Sequence, residues 1–347
     1  MATDRSLLFN AWLFKQLSQL KQTHISKENV EIASLTGDAG FRQYFRIVLA
    51  PDDSFIAVDA PPALSNNCAF VNVANALENN QVPVPSVLAF DETNGFMMLE
   101  DLGDRQFFDV IAQEELLPWY KKAIDELVKI TTLDYQGASL ELPEYNDAFV
   151  LTELSIFTQW LVGEYLAIEL TPEQQQHIEH TFNVLIQNVA DQPRVMMHRD
   201  FHSRNLMVQH DQIAIIDFQD AVQGSITYDI VSLLRDCYKQ LSCEEISALF
   251  DYYLSKIRIN EQLAVQTKDV DKSRWQRWFD LMGMQRHIKA SGIFARLSLR
   301  DNKHGYLNDI PLTLRYIIEV SSHYPELVWF GRFVEKDILP QVLRKLS

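Results

Sequence analysis

The octet His198-Arg199-Asp200-Phe201-His202-Ser203-Arg204-Asn205 is followed, twelve residues after Asn205, by Asp217-Phe218 at the end of an apolar run. These residue types at this spacing suit phosphoryl transfer, in which catalysis is mostly positioning and charge stabilisation. Asp200 can orient a hydroxyl acceptor and take its proton. Asn205 offers a neutral oxygen to a magnesium ion and Asp217 a hard anionic one. Bound magnesium would neutralise charge developing on the β- and γ-phosphates of ATP. Taken singly, each residue has a plainer reading, since Asp and Asn are common in turns and a lone histidine is usually packed. The whole pattern in order, across one loop and one hairpin, is what points to chemistry.

The elements that must position these residues differ between the two ends of the chain. Residues 4–21 predict a helix with Leu7, Leu8, Trp12, Leu13 and Leu17 on one face. Short runs rich in β-branched and aromatic residues follow at 31–35, 44–49, 55–60, 87–90 and 96–99, interrupted by one helical segment at 67–79. After Gly103 the pattern is helical, at about 105–131, 148–168, 172–189, 226–240, 244–258, 274–292 and 324–345. The exception is a short hairpin, 206–208 and 213–216, turned by Gln209-His210-Asp211-Gln212. The expected fold is therefore α+β and bilobal. A small β-sheet N-lobe with a leading helix and one inserted helix (1–100) binds the nucleotide, 101–104 is the hinge, and a larger, mainly helical lobe (105–347) carries catalysis and acceptor. A nucleotide would sit in the cleft between them.

The octet and the following Asp-Phe resemble the catalytic and metal loops of the protein-kinase-like, aminoglycoside-phosphotransferase-like superfamily. That resemblance implies a protein-kinase-like fold with Asp200 as catalytic base, Asn205 and Asp217 as magnesium ligands, and His198 and Arg199 as scaffold. Tyr228-Asp229 resembles the family's helix-start aspartate, which braces the catalytic loop. A protein substrate is excluded by spacing: only twelve positions separate Asp217 from Asp229, too few for a peptide-docking platform. The acceptor should be a small molecule.

Thr36-Gly37-Asp38-Ala39-Gly40-Phe41-Arg42 is placed like a phosphate-covering turn, although two glycines also suit an ordinary hairpin. The following strand, Phe55-Ile56-Ala57-Val58-Asp59-Ala60, lacks the lysine the superfamily uses for the α- and β-phosphates, and Arg42 or Arg46 could stand in for it. With Glu100 and Leu102 of the hinge motif, the expected ATP-binding set is Gly37, Asp38, Ala39, Gly40, Arg42, Arg46, Glu100 and Leu102. The lysine-free strand, Glu100-Asp101-Leu102-Gly103-Asp104 and Asp217-Phe218-Gln219-Asp220-Ala221 are together similar to the bacterial anomeric N-acetylmuramate/N-acetylglucosamine kinases of cell-wall recycling. That likeness implies ATP and a free amino sugar giving a sugar 1-phosphate. His202, Arg204, Asp220, Arg286 and Arg296 are the expected acceptor-binding positions.

An anomeric hydroxyl is acidic enough for a carboxylate base. Phe157, Trp160, Trp275 and Tyr306 are possible sugar-stacking faces, though buried aromatics more often fill cores. The stretch 272–304 holds eight Lys/Arg against two Asp in a chain of net charge −16. Arg286, His287 or Arg296 could therefore meet an anionic acceptor group, unless the stretch is simply a solvated helix face. A kinase of another metabolite (an aminoglycoside, choline, an amino acid or another sugar) and a nucleotide-binding pseudokinase remain the alternatives.

Composition narrows the rest. A chain of 347 residues, 47% hydrophobic, can bury a large core. Net acidity disfavours nucleic acid as a partner. The three cysteines lack metal or disulfide spacing, and no signal peptide or membrane-spanning stretch is evident. A cytoplasmic enzyme is expected, with a monomer favoured.

Overall fold

The computed structural model describes residues 4–35, 41–138 and 140–347. The chain divides into two compact units. The first comprises Met1–Val110, Asp134–Glu141 and Arg204–Asp220, and the second Ile111–Leu133, Leu142–Ser203 and Ala221–Ser347.

In the first unit, α1 (Asp4–Leu20) precedes β1 (Glu31–Leu35), β2 (Gln43–Ala50), β3 (Asp53–Asp59), α2 (Asn67–Asn79), β4 (Val87–Asp91) and β5 (Phe96–Glu100). The five strands form an antiparallel sheet in the order β1-β2-β3-β5-β4. One face packs on α1: Phe9, Leu13 and Leu17, spaced by four, bury against Ile47, Ala57, Phe96 and Met98. Leu7 and Leu8 face outward instead, because the buried stripe runs through Phe9 and its i+4 partners. The α2 segment begins at its Asn66 cap, whose side chain accepts from Ala69 N. Gly95, at φ +69°, permits a close approach: a Cβ there would lie 2.0 Å from the Ala60 carbonyl oxygen.

Beyond α3 (Phe107–Gln113), α4 (Leu116–Thr131), α5 (Asp147–Ile156) and α6 (Pro172–Ala190) come β6 (Arg194–Met197), β7 (Leu206–Gln209), β8 (Gln212–Ile215) and β9 (Val222–Ser225). The β7–β8 hairpin belongs to the first unit, tied there by Val208 N to Arg105 O at 2.8 Å and Ile215 N to Pro83 O at 2.8 Å. Its turn residues His210 and Asp211 both have positive φ, as a tight hairpin requires.

In the second unit β6 pairs with β9, a strand that the sequence reading leaves unassigned because it is short and ends on Gly224-Ser225. The unit continues with α7 (Tyr228–Leu234), α8 (Cys243–Ile257), α9 (Glu261–Thr267), α10 (Lys272–Asp301), α11 (Ile310–His323), α12 (Val328–Phe333) and α13 (Leu339–Leu346). The 30-residue α10 is buried along most of its length, so it shows no single apolar stripe and its periodicity understates its extent. It lies close to the end of α5: a Cβ on Gly292 would come within 2.6 Å of Ile156 and Phe157 backbone atoms. Helix α11 also exceeds expectation, since Pro311 marks the start of a helix there rather than a break. No helix among the described residues is long and apolar enough to cross a membrane.

Candidate active site

The His198–Asn205 octet starts where β6 ends at Met197, and the division between the units falls between Ser203 and Arg204. Within the second unit, two carboxylates hold the loop at its two ends. Asp229, in the first turn of α7, accepts from His198 N at 2.7 Å and Arg199 N at 3.0 Å. Asp236, just past α7, accepts from Ser203 N at 3.0 Å, from Ser203 Oγ at 2.5 Å and from Tyr238 N at 3.0 Å. Between these clamps Arg199 adopts φ +79°, a conformation unfavourable for a side-chain-bearing residue that a fully bonded surround can maintain. Asp200 N donates to His198 Nδ1 at 3.2 Å and His202 N donates to Asp200 O at 3.0 Å.

Charge around Asp200 is arranged by α5, α7 and α10. Arg199 donates to Glu153 at 2.8 Å and lies 4.8 Å over the Phe149 ring. Lys289 pairs with the same carboxylate at 2.9 Å and donates to the Tyr228 hydroxyl at 3.1 Å. Glu153 also accepts from Tyr145 at 2.6 Å and from Gln285 at 3.1 Å. Arg286 donates to the Arg199 carbonyl at 3.0 Å and stacks 4.7 Å over Tyr228. Burial alone would raise the Asp200 carboxyl; the cationic surround of Lys289, His202, Arg286 and Arg199 overcomes it and brings the group to about 2. Asp229 goes the other way, raised by burial despite His198 and Arg286. Asp200 is thus ionised at neutral pH, oriented by its loop and weakly basic.

The first unit holds the other pair. Asp217, at φ +65°, accepts from Asn205 Nδ2 at 3.2 Å and from Gln219 Nε2 at 2.7 Å. Both are oxygen-bearing and solvent-accessible, and among the described residues no group of three His, Cys, Asp or Glu could close around an ion. Such a donor set fits magnesium, which keeps waters and shares phosphate oxygens, better than a cation needing a full protein cage.

The expected turn residues Gly37, Asp38, Ala39 and Gly40 lie outside the described residues. Arg46 pairs with Asp101 at 2.7 Å and Asp104 at 2.6 Å, whereas Arg42 lies 5.6 Å over the Phe70 ring. Glu100 ends β5, where its N donates to Ser86 O at 3.0 Å and its Oε2 accepts from Ser86 N at 3.4 Å. Leu102 packs with Met207, Ala214 and Ile216, an apolar patch of the kind that binds a planar base. Asp59, at the end of the lysine-free strand β3, is paired with Arg5 of α1.

Of the acceptor positions, His202 meets Tyr238 edge-on at 5.4 Å with its buried Nδ1 lacking a hydrogen bond among the described residues. In the first unit Arg204 lies 5.6 Å over Phe108, and Asp220 is exposed. Arg296 is half-buried; burial and the neighbouring Arg300 make its charge less favourable. His287 is packed on Tyr316 at 4.4 Å, with Nε2 2.9 Å from Arg235 O, and burial lowers it to about 3. Phe157 and Trp275 are core residues. Tyr306 instead stacks at 5.6 Å on Phe294, which also contacts Tyr238 at 6.3 Å. Glu153, Lys289 and Asp236 escape the sequence reading; a buried-position Glu within an otherwise apolar helix was the one signal available for Glu153.

The same architecture occurs in the solved choline kinase of Cryptosporidium parvum Iowa II, with a TM-score of 0.61 over 96% of this chain and all of that one, at 11% identity. The fold is thus that of small-molecule kinases. Residues 31–264 match the phosphotransferase enzyme family, and the chain belongs to that family. The N-acetylmuramate/N-acetylglucosamine kinase of Neisseria meningitidis serogroup B is 36% identical over 316 residues, 90% of this chain and 92% of that protein. The like-named kinase of Pseudomonas putida is 36% identical over 93% of this chain and 94% of its own length.

Proposed function

We propose that this phosphotransferase is an ATP-dependent kinase acting on the anomeric hydroxyl of N-acetylmuramate and N-acetylglucosamine, in cell-wall recycling in the cytoplasm. The observation that carries this reading is similarity over about nine-tenths of the chain to kinases named for those two sugars.

Asp200 is proposed to orient the sugar hydroxyl and accept its proton. A carboxylate is too weak a base to ionise the free hydroxyl ahead of attack. Proton transfer therefore comes late, as the oxygen bonds to phosphorus and its acidity rises. The bond from this oxygen to the γ-phosphorus forms as that to the β,γ-bridging oxygen breaks, releasing ADP. Asn205 and Asp217 are proposed to hold magnesium, which when bound screens the phosphate charge. Loop positioning by Asp229 and Asp236 keeps Asp200 in line.

Incubation with ATP, magnesium and a panel of sugars, read by ADP release and phosphorus NMR, tests the reading. A sugar 1-phosphate signal is expected. ATP binding without transfer to either amino sugar, or transfer only to a hydroxyl other than the anomeric one, overturns it.

A further inference from the structure

The charged side chains of the first unit are committed unequally. Strand β3 carries no cation, and its terminal Asp59 is held by Arg5 at 2.5 Å, with Arg5 Nη2 also donating to Asn94 O at 2.7 Å. Arg46 is engaged on three sides, by Asp101, Asp104 and, at 3.1 Å, the Gly103 carbonyl. The Asp101 side chain is 4% exposed, so withdrawing Arg46 to meet a ligand would leave a nearly buried carboxylate unpaired.

Arg42 differs. Its Nη2 makes a long hydrogen bond to Asn66 O at 3.4 Å, and its buried Nε has no partner among the described residues. No carboxylate of the described residues pairs with it. The Phe70 ring beneath the guanidinium packs at 4.9 Å on Phe218, the residue after Asp217. Tyr44, two positions along β2, is close enough to feel Arg42, Asp217 and Asp220 together: burial raises its hydroxyl, Arg42 opposes, and the two carboxylates reinforce. A half-buried cation thus stands near the Asn205–Asp217 pair, in a chain of net −16, without an anion of its own among the described residues.

We propose that Arg42 grips the phosphate oxygens of the nucleotide beside Asn205 and Asp217, while Arg46 fixes the 101–104 segment that meets the base. A guanidinium suits the first task because its planar fork can donate to two oxygens at once. The inference rests on the kinase reading above and assigns the cation that β3 lacks.

Calorimetric titration of the full chain with adenosine, ADP and ATP in the presence of magnesium tests it. Arg42→Gln is expected to weaken ATP and ADP at least about tenfold while leaving adenosine within about twofold. Arg42→Lys should recover part of the loss. Arg46→Gln should weaken adenosine and ATP by the same factor, since it acts through the base-binding segment. An Arg42→Gln chain that binds ATP as tightly as the wild type, or loses adenosine and ATP equally, overturns the assignment while leaving the kinase reading intact. A wild-type chain that binds adenosine but neither ADP nor ATP overturns both. Melting curves of the two Arg42 variants should stay within a few degrees of the wild type, because the side chain makes no ion pair with a described residue and only a long hydrogen bond and one ring contact.

Discussion

Replacing Glu153 by glutamine tests the electrostatic support of the catalytic loop. Glu153 is 4% exposed and joins Arg199, Lys289, Tyr145 and Gln285. Burial would raise its carboxyl; Lys289 first and Arg199 next bring it instead from 4.5 to about 2. That difference corresponds to about 3 kcal/mol of stability at neutral pH. Glutamine keeps the shape and removes the charge, leaving two buried cations without their shared anion, so a loss of about 3–5 kcal/mol is expected in urea denaturation. The pH dependence gives a sharper signature. A depressed carboxylate contributes above its unfolded value and loses that contribution as pH falls towards its folded one. The wild-type advantage over Glu153→Gln should therefore shrink by roughly 1.5 kcal/mol between pH 6 and pH 3.5. Adding Lys289→Met to the variant should cost less than the sum of the two single changes, with coupling of about 1–3 kcal/mol. A loss under about 1 kcal/mol, or a wild-type advantage that stays flat with pH, would refute this account of the buried charges.

Four further outcomes concern catalysis. Asp200→Asn should lower kcat by on the order of 10³ while ADP affinity stays within about twofold, as calorimetry would show. Asp217→Asn should raise the magnesium concentration for half-maximal activity by on the order of tenfold or more, read from activity against metal concentration. Arg296→Gln should raise KM about tenfold for N-acetylmuramate but leave that for N-acetylglucosamine nearly unchanged, because only the former carries a carboxylate. Equal effects on the two sugars would remove Arg296 from acceptor recognition. Arg286→Gln should instead reduce kcat for both sugars, since its guanidinium holds the Arg199 carbonyl.

Much of this protein is written in local sequence. The β-rich beginning, the Asn66-capped helix and the His210-Asp211 turn follow from side-chain period, capping chemistry and left-handed backbone, all decided within a few residues. The Asp200, Asn205 and Asp217 spacing was legible for the same reason, as one loop and one hairpin. Tertiary structure decided what local pattern cannot carry. Glu153 and Asp236 reach the 198–205 loop from 46 and 33 residues away, and Lys289 joins through Tyr228, 61 residues from it, and through Glu153 on another helix. Helix α10 hides its length because both faces are buried, and a helix without a polar face has no period to read. Arg42 and Arg46 are four residues apart and chemically identical. Only the folded sheet separates them, by bringing Asp101 and Asp104 to one and an aromatic ring to the other.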